Sequence, residues 1–216
     1  MRATKPKAAR TSSRYHSPLR ERQAAQTRRA ILDAALVLFG EQGWAATTLP
    51  MVAAAAGISV DTIYVTFGTK SALLLAVVEV AIVGDDEEAP MADRPDFARL
   101  ADGRRHERLR TGVRYTMDVY ARSVPILDAL REAAASDAAA AERLARYDSD
   151  RRDLIAAGMA LILGREPSEE VVDAVWALVS PEVYTYLLRG CGWSSSRVED
   201  WFVDMARAAI ARAGRA

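Results

Sequence analysis

The stretch TLPMVAAAAGISVDTIYVTFGTK, Thr48 to Lys70, decides the fold. Thr48 has the short, oxygen-bearing side chain of a helix N-cap, and Pro50 falls in the first turn, where its missing N–H costs nothing. Val52, Ala53 and Ala56 recur at helical spacing, and the small alanines let another helix approach closely. Gly57 stands where a helix ends in a left-handed residue. Ser59 caps a second helix whose apolar side is Val60, Ile63, Tyr64 and Phe67. Gly68 closes it, and Thr69 caps a third helix carrying Leu73, Leu74 and Val77. Helix, glycine-containing turn and helix is the arrangement that lays its second helix in the DNA major groove.

The run AGISVDTIYVTFGTKSALLLAV, residues 56–77, resembles the DNA-binding signature of the tetracycline-repressor (TetR) family of bacterial regulators. The match rests on Ala56, Gly57, Ser59, Thr62, Tyr64, Phe67, Lys70, Leu73 and Leu74. The chain departs at Asp61, where glycine or a basic residue is frequent in the family; an acid there suits the positive end of a helix. The resemblance implies a homodimeric transcriptional regulator, most often a repressor, that loses its operator when a small molecule enters a second domain. An activator or ligand-independent regulator fits the same signature. From another class, an all-α carrier or enzyme with an incidental helical hairpin competes, and a steep salt dependence of specific DNA binding separates the two.

Composition agrees with a two-part molecule. The 216 residues suffice for one or two domains with a sizeable core. Net charge is zero, but residues 1–70 hold ten Lys/Arg against four Asp/Glu, and residues 71–216 hold nineteen against twenty-five. A head of +6 on a body of −6 suits a DNA-binding end joined to a part that avoids DNA. The single cysteine, Cys191, excludes an internal disulfide and fits a reducing cytoplasm. The basic start lacks the apolar core of a signal peptide, and the apolar run Ala72–Val83 is too short to span a bilayer. A cytoplasmic protein with no membrane partner is expected.

Taken in order, residues 1–20 read as a disordered basic arm with Arg2, Lys5, Lys7, Arg10, Arg14 and Arg20, either a solvated tail or an arm that follows DNA phosphates or enters a neighbouring minor groove. Residues 21–69 form the helix-turn-helix domain, opened by a helix over Arg22–Gln42 with Ile31, Ala34, Ala35, Leu38 and Phe39 along one face. Its expected core is Phe39, Trp44, Leu49, Val52, Ile63 and Phe67. Residues 70–83 are a connecting helix, apolar on nearly every side and therefore buried, a natural lever between domains. Residues 84–103 read as an exposed acidic loop with a helical turn near Phe97–Leu100. Residues 104–216 read as a helical ligand-binding and dimerisation domain, with helices at 104–122, 125–135, 137–163, 168–190 and 196–213. Pro125 and Pro181 start or kink their helices, and Ser168 with Glu169 and Glu170 marks a helix N-terminus. No stretch alternates at period two, so the fold class is all-α.

Around the second helix of the motif, Val60 and Thr62 are placed to reach base edges. Thr48, Tyr64, Thr66, Thr69 and Lys70 suit phosphate, and Ser59, which caps the helix, is counted in the same DNA-binding set; the family resemblance supports Tyr64 and Lys70. Nothing suggests catalysis or a cofactor: His16 and His106 have no acid–nucleophile partner in sequence, and no phosphate loop or metal spacing occurs. The acidic run Asp85, Asp86, Glu87 and Glu88 reads as a solvated loop. Residues 104–165 resemble the family's central helices, which enclose a small-molecule cavity. Candidate lining residues are Tyr115, Met117, Tyr120, Arg122, Leu127, Leu130, Leu154 and Met159, mixing apolar surface with polar anchors. The run SPEVYTYLLRGCGWSSSRVEDWF resembles the family's C-terminal helix pair, which forms a four-helix dimer interface. There Val172, Trp176, Val183, Tyr186, Leu187, Trp201, Phe202 and Met205 are the expected contacts. The implied partners are palindromic double-stranded DNA, a second copy and a small-molecule effector of unknown identity.

Overall fold

The computed structural model describes residues 18–84 and 90–213, and among these it contains no strand. The chain is all-α. Helix α1 (Pro18–Ala46) is followed by α2 (Leu49–Ala56), α3 (Val60–Phe67) and α4 (Lys70–Val83). A short helix α5 (Pro95–Ala98) leads to the long antiparallel pair α6 (Arg105–Ala134) and α7 (Ala138–Leu163). Helices α8 (Glu169–Leu178), α9 (Pro181–Thr185) and α10 (Ser195–Ala213) complete it. Residues 18–20, expected in the basic arm, are the first turn of α1; residues 1–17 lie outside the described residues.

Gly43 interrupts α1 at φ 75°, ψ −175°, a conformation essentially restricted to glycine. The turn beyond it is tied to the body: Trp44 N–H donates to Glu132 Oε2 of α6 at 2.6 Å and Ala45 N–H donates to Oε1 at 3.2 Å. A Cβ on Gly43 would lie 2.8 Å from that same Oε2. Gly43→Ala is therefore expected to cost about 1–3 kcal/mol from backbone strain, before any displacement of the carboxylate. A shift of the urea midpoint measures it, and an unchanged midpoint would mean that the kink relaxes freely.

Helix α4 is buried along most of its length, with Leu73, Leu74, Val77 and Val78 each at 1% exposure or less. Its neighbours come from both sides of the expected domain boundary. Ile31, Phe39, Val52 and Ile63 of the head form one continuous apolar cluster with α4, with Ile126, Leu127 and Leu130 of α6, and with Tyr147 of α7. Packing does not divide at residue 70. A second cluster joins α6 and α7 to α8 and α10 through Leu109, Met159, Ile162, Val175 and Phe202.

Three sequence expectations change. Helix α6 continues through Pro125 instead of breaking between 122 and 125. Ala121, whose carbonyl loses its N–H partner, is exposed, and burial of Ile126, Leu127 and Leu130 holds the helix together beyond the proline. Of the expected acidic loop, residues 85–89 lie outside the described residues, but Met91, Phe97 and Leu100 are buried, not exposed. Phe97 and Leu100 pack over Gly158 of α7, where a Cβ would sit 3.6 Å from Phe97 and 3.5 Å from Leu100. The expected single helix over 168–190 is divided after Leu178, where Val179 adopts φ −96°, ψ 67° and Ser180 caps α9 at Pro181. A π-turn, Tyr186–Gly190, follows α9. By length and apolarity alone Glu169–Gly190 could cross a membrane, but it is broken at this point.

Candidate nucleic-acid interface and cavity

Local chemistry fixes the angle between α2 and α3. Thr48 Oγ1 accepts the Met51 N–H at 3.4 Å to start α2, and Gly57 ends it at φ 68°, ψ 34°. Ser59 Oγ then accepts the Thr62 N–H at 3.2 Å to start α3. The two axes meet at 106°, within the range of DNA-binding helix-turn-helix pairs. Ile63 anchors the inner side of α3 in the core, and the Arg28 guanidinium of α1 lies 4.7 Å over the Phe67 ring.

With that side held, the opposite side of α3 faces outward. Asp61, Tyr64 and Val65 are exposed, Tyr64 at 54% and Val65 at 88%. Val60 and Thr62 are half-buried at the start of the helix, where the Thr62 and Ser59 hydroxyls lie 2.8 Å apart. The Thr66 hydroxyl donates to its own backbone at Thr62 O, 2.7 Å away, and Thr69 Oγ1 accepts the Ala72 N–H. Lys70 is half-buried: its ammonium donates to Trp44 O and lies 4.1 Å from the Trp44 ring centroid. Burial lowers its pKa, with the nearby Glu132 carboxylate opposing. Val65 escaped the sequence reading because a β-branched residue beside Tyr64 resembles core. Its register gives it away, since two residues beyond buried Ile63 is the far side of a helix.

Between α4, the α5 segment, α6, α7 and α8 lies a cavity of about 260 Å³. One end is apolar, closed by Phe97, Leu100, Leu109 and Ile162. The other end is polar: Glu79 of α4 meets Arg143, Tyr147, Asp150 and Arg151 of α7. Arg143 Nε donates to Glu79 Oε1 at 2.7 Å, and its Nη1 lies 3.5 Å from Asp150 Oδ2. Tyr120 donates to Val179 O at 2.8 Å. Burial raises the Tyr147 hydroxyl to about 12 and lifts Tyr120 above its ordinary value, so both are neutral phenols at physiological pH. Of the residues expected here, Tyr115, Tyr120, Leu154 and Met159 line the cavity. Leu127 and Leu130 instead belong to the core shared with the head, Met117 packs in the second cluster, and exposed Arg122 reaches Ile82 O beside Gly84. For Leu127 and Leu130 the cause is that the second half of α6 packs toward α1 and α4; Met117 lies on the turn of α6 that lines the cavity but packs in the second cluster. Glu79, Arg143 and Arg151 were missed, because neither a lone acid on apolar α4 nor two arginines among many charges on α7 signals a site until the partner is known.

Residues 31–77, from within α1 to within α4, match the family model for bacterial regulatory proteins of the tetR family. This N-terminal segment is similar in sequence to that family. The whole chain also has the fold of solved tetR-family regulators. A TetR family transcription regulator from Marinobacter aquaeolei VT8 is 21% identical with a TM-score of 0.57, covering 88% of this chain and 98% of that one. A TetR-like transcriptional regulator from Rhodococcus sp. RHA1 is 19% identical with a TM-score of 0.55, covering 86% and 96%. The SmeT–triclosan complex is 22% identical with a TM-score of 0.60, covering 85% and 90%. No curated protein matches the chain by sequence.

On this tetR-family fold the C-terminal helices present a mixed face. Val172 and Phe202 are buried within the protomer, at 4% and 0% exposure, and have no surface to offer a second copy. Trp176 is held by its own chain: its indole N–H donates to Asp148 O, and the Arg151 guanidinium lies 4.8 Å over the ring. Tyr186 is 71% exposed on the π-turn, and Val183, Leu187, Trp201 and Met205 are half-buried around it or on α10.

Proposed function

We propose that the protein is a homodimeric transcriptional repressor that binds a palindromic operator through α3 and leaves it when a small molecule occupies the cavity. The observation that carries DNA binding is the capped α3, set at 106° to α2 with Tyr64 and Val65 turned outward. In this reading Val60, Thr62 and Val65 meet base edges, the valines against thymine methyl groups. Tyr64, Thr48, Thr69 and the N-terminal turns of α2 and α4 hold phosphates, and Lys70 leaves Trp44 to join them. Two heads spaced by one DNA turn, roughly 34–36 Å, read the two half-sites. A ligand that favours a protomer shape with another spacing then weakens the complex by its differential affinity. Similar folds appear in the SmeT–triclosan complex and in the multidrug binding protein EbrR complexed with imidazole, which supports a small-molecule cavity in this one.

Selection of operator sequences from random DNA, followed by titration at several salt concentrations, tests the reading. Tyr64→Phe removes only a hydroxyl and is expected to weaken operator and scrambled DNA alike. Thr62→Ala is expected to cost about 1–3 kcal/mol on the operator and much less on scrambled DNA. If neither substitution changes affinity, α3 does not read DNA; if no sequence is enriched at all, the reading fails.

A further inference from the structure

The cavity carries a charge pattern that names the chemical class of its ligand. Four charged residues line its polar end, and they differ in burial according to sign. The carboxylates of Glu79 and Asp150 sit on side chains 57% and 63% exposed, so water screens them. The guanidinium side chains of Arg143 and Arg151 are only 10% and 9% exposed. Arg151 Nη1 donates to Trp176 O and Val179 O, but its buried Nε has no hydrogen-bond partner and lies 4.0 Å from Asp148 Oδ1. Within the low-dielectric wall the more deeply buried sign is therefore positive, and its carboxylate partners lie toward water.

The rest of the cavity is apolar and elongated. From Asp150 to Ile162 the cavity follows α7 for about 18 Å. At the far end Gly112 is held so close to Ile162 Cδ1 that a Cβ would lie 2.7 Å away, so the cavity is narrow there and its width suits flat or chain-like apolar groups.

Resting on the ligand-responsive reading above, we infer that the cavity takes an amphiphilic organic anion, an apolar body ending in one carboxylate or comparable acidic group. The body lies between Leu100, Val113 and Ile162, and the acidic group faces Arg143 and Arg151. Its competitor is internal. Glu79 already occupies Arg143 at 2.7 Å, and Glu79 belongs to α4, nine residues beyond Lys70 at the head. A ligand anion that takes Arg143 must loosen Glu79, and so loosens α7's grip on the helix that carries the DNA-binding unit. The same contact thus supplies both the selectivity and the coupling.

The experiment uses the full chain without DNA, so that it does not depend on operator binding. Calorimetric titration compares decanoate, decanol and decylamine, which share one apolar body and differ in charge. Decanoate should bind at least tenfold more tightly than decanol, and decylamine should be weakest. Arg143→Gln should remove the preference for decanoate while leaving decanol binding intact, which also shows that the variant is folded. Glu79→Gln should act in the opposite direction and tighten decanoate severalfold, because it removes the competing carboxylate from an exposed position. Equal affinity for decanoate and decanol, preference for decylamine, no binding of decanoate, or weaker binding to Glu79→Gln would each overturn the inference. Operator selection, done separately, shows whether the DNA reading stands in that event.

Discussion

Phe39→Ala is expected to lower stability by about 3–5 kcal/mol and to melt the head and the body in a single transition. Phe39 has no exposed surface, and its ring stacks on Trp44 with centroids 6.0 Å apart. The cluster around it contains Val52 and Ile63 of the helix-turn-helix, Leu73 and Val77 of α4, and Ile126 and Leu130 of α6. Removing the ring leaves a cavity that three elements line and none can fill without moving the other two. Urea unfolding followed by far-ultraviolet circular dichroism and by tryptophan fluorescence distinguishes the cases. Trp44 reports from the head, and Trp176, Trp193 and Trp201 report from the body. Coincident, shifted transitions are expected. Two separate transitions, with only the head affected, would show that α4 joins two independent units and that the shared core counts for little.

That shared core bears on the part α4 plays. A helix apolar on nearly every side reads in sequence as a lever between two bodies, and most of it is buried. What the pattern could not show is what covers it. The cover is α1 on one side and the second half of α6 on the other, so α4 lies inside a core that head and body share. The polar joints of that core are Glu132 at the backbone of Trp44 and Ala45, and Arg143 at Glu79. The first fixes the head to α6, and the second fixes α4 to the cavity wall.

The helix-turn-helix was legible because each of its turns is enforced locally. Thr48, Gly57, Ser59 and Thr69 act on their own backbone within a few residues, and sequence spacing records such contacts directly. The cavity was legible only in outline. Tyr120 and Met159 came from the resemblance of residues 104–165 to the family's central helices, whereas Leu127, named on the same ground, packs in the core shared with the head. Glu79, Arg143 and Asp150 become a site only when α4 and α7 meet, 64 residues apart in sequence for the first pair. The buried Phe97 and Leu100 were hidden by their setting, since aspartate, proline and glycine around them spell a loop.

A double substitution, Tyr186→Glu with Trp201→Glu, is expected to give a folded monomer whose operator affinity falls by about 10²–10⁴-fold. The magnitude follows from linkage: in a dimer the second head meets its half-site at high effective concentration, and a monomer loses that advantage entirely. Tyr186 is the larger lever because 71% of it is exposed, so a charge there costs the protomer's own fold little. The π-turn that carries it, closed by the Cys191 N–H donating to Tyr186 O at 2.9 Å, holds the ring at the surface. Trp201 is half-buried and packs against Phe202 at 5.7 Å, so its replacement also presses on the inner cluster. Tyr186→Glu alone therefore serves as the control that separates assembly from folding. Sedimentation at micromolar concentration reads the oligomeric state, circular dichroism reads the fold, and titration with the selected operator reads function. A wild-type chain that sediments as a monomer would sink the dimer outright. A folded double variant that remains dimeric would move the interface off Tyr186 and Trp201, and Val183, Leu187 and Met205 could not then support it alone, because each is half-covered by its own protomer.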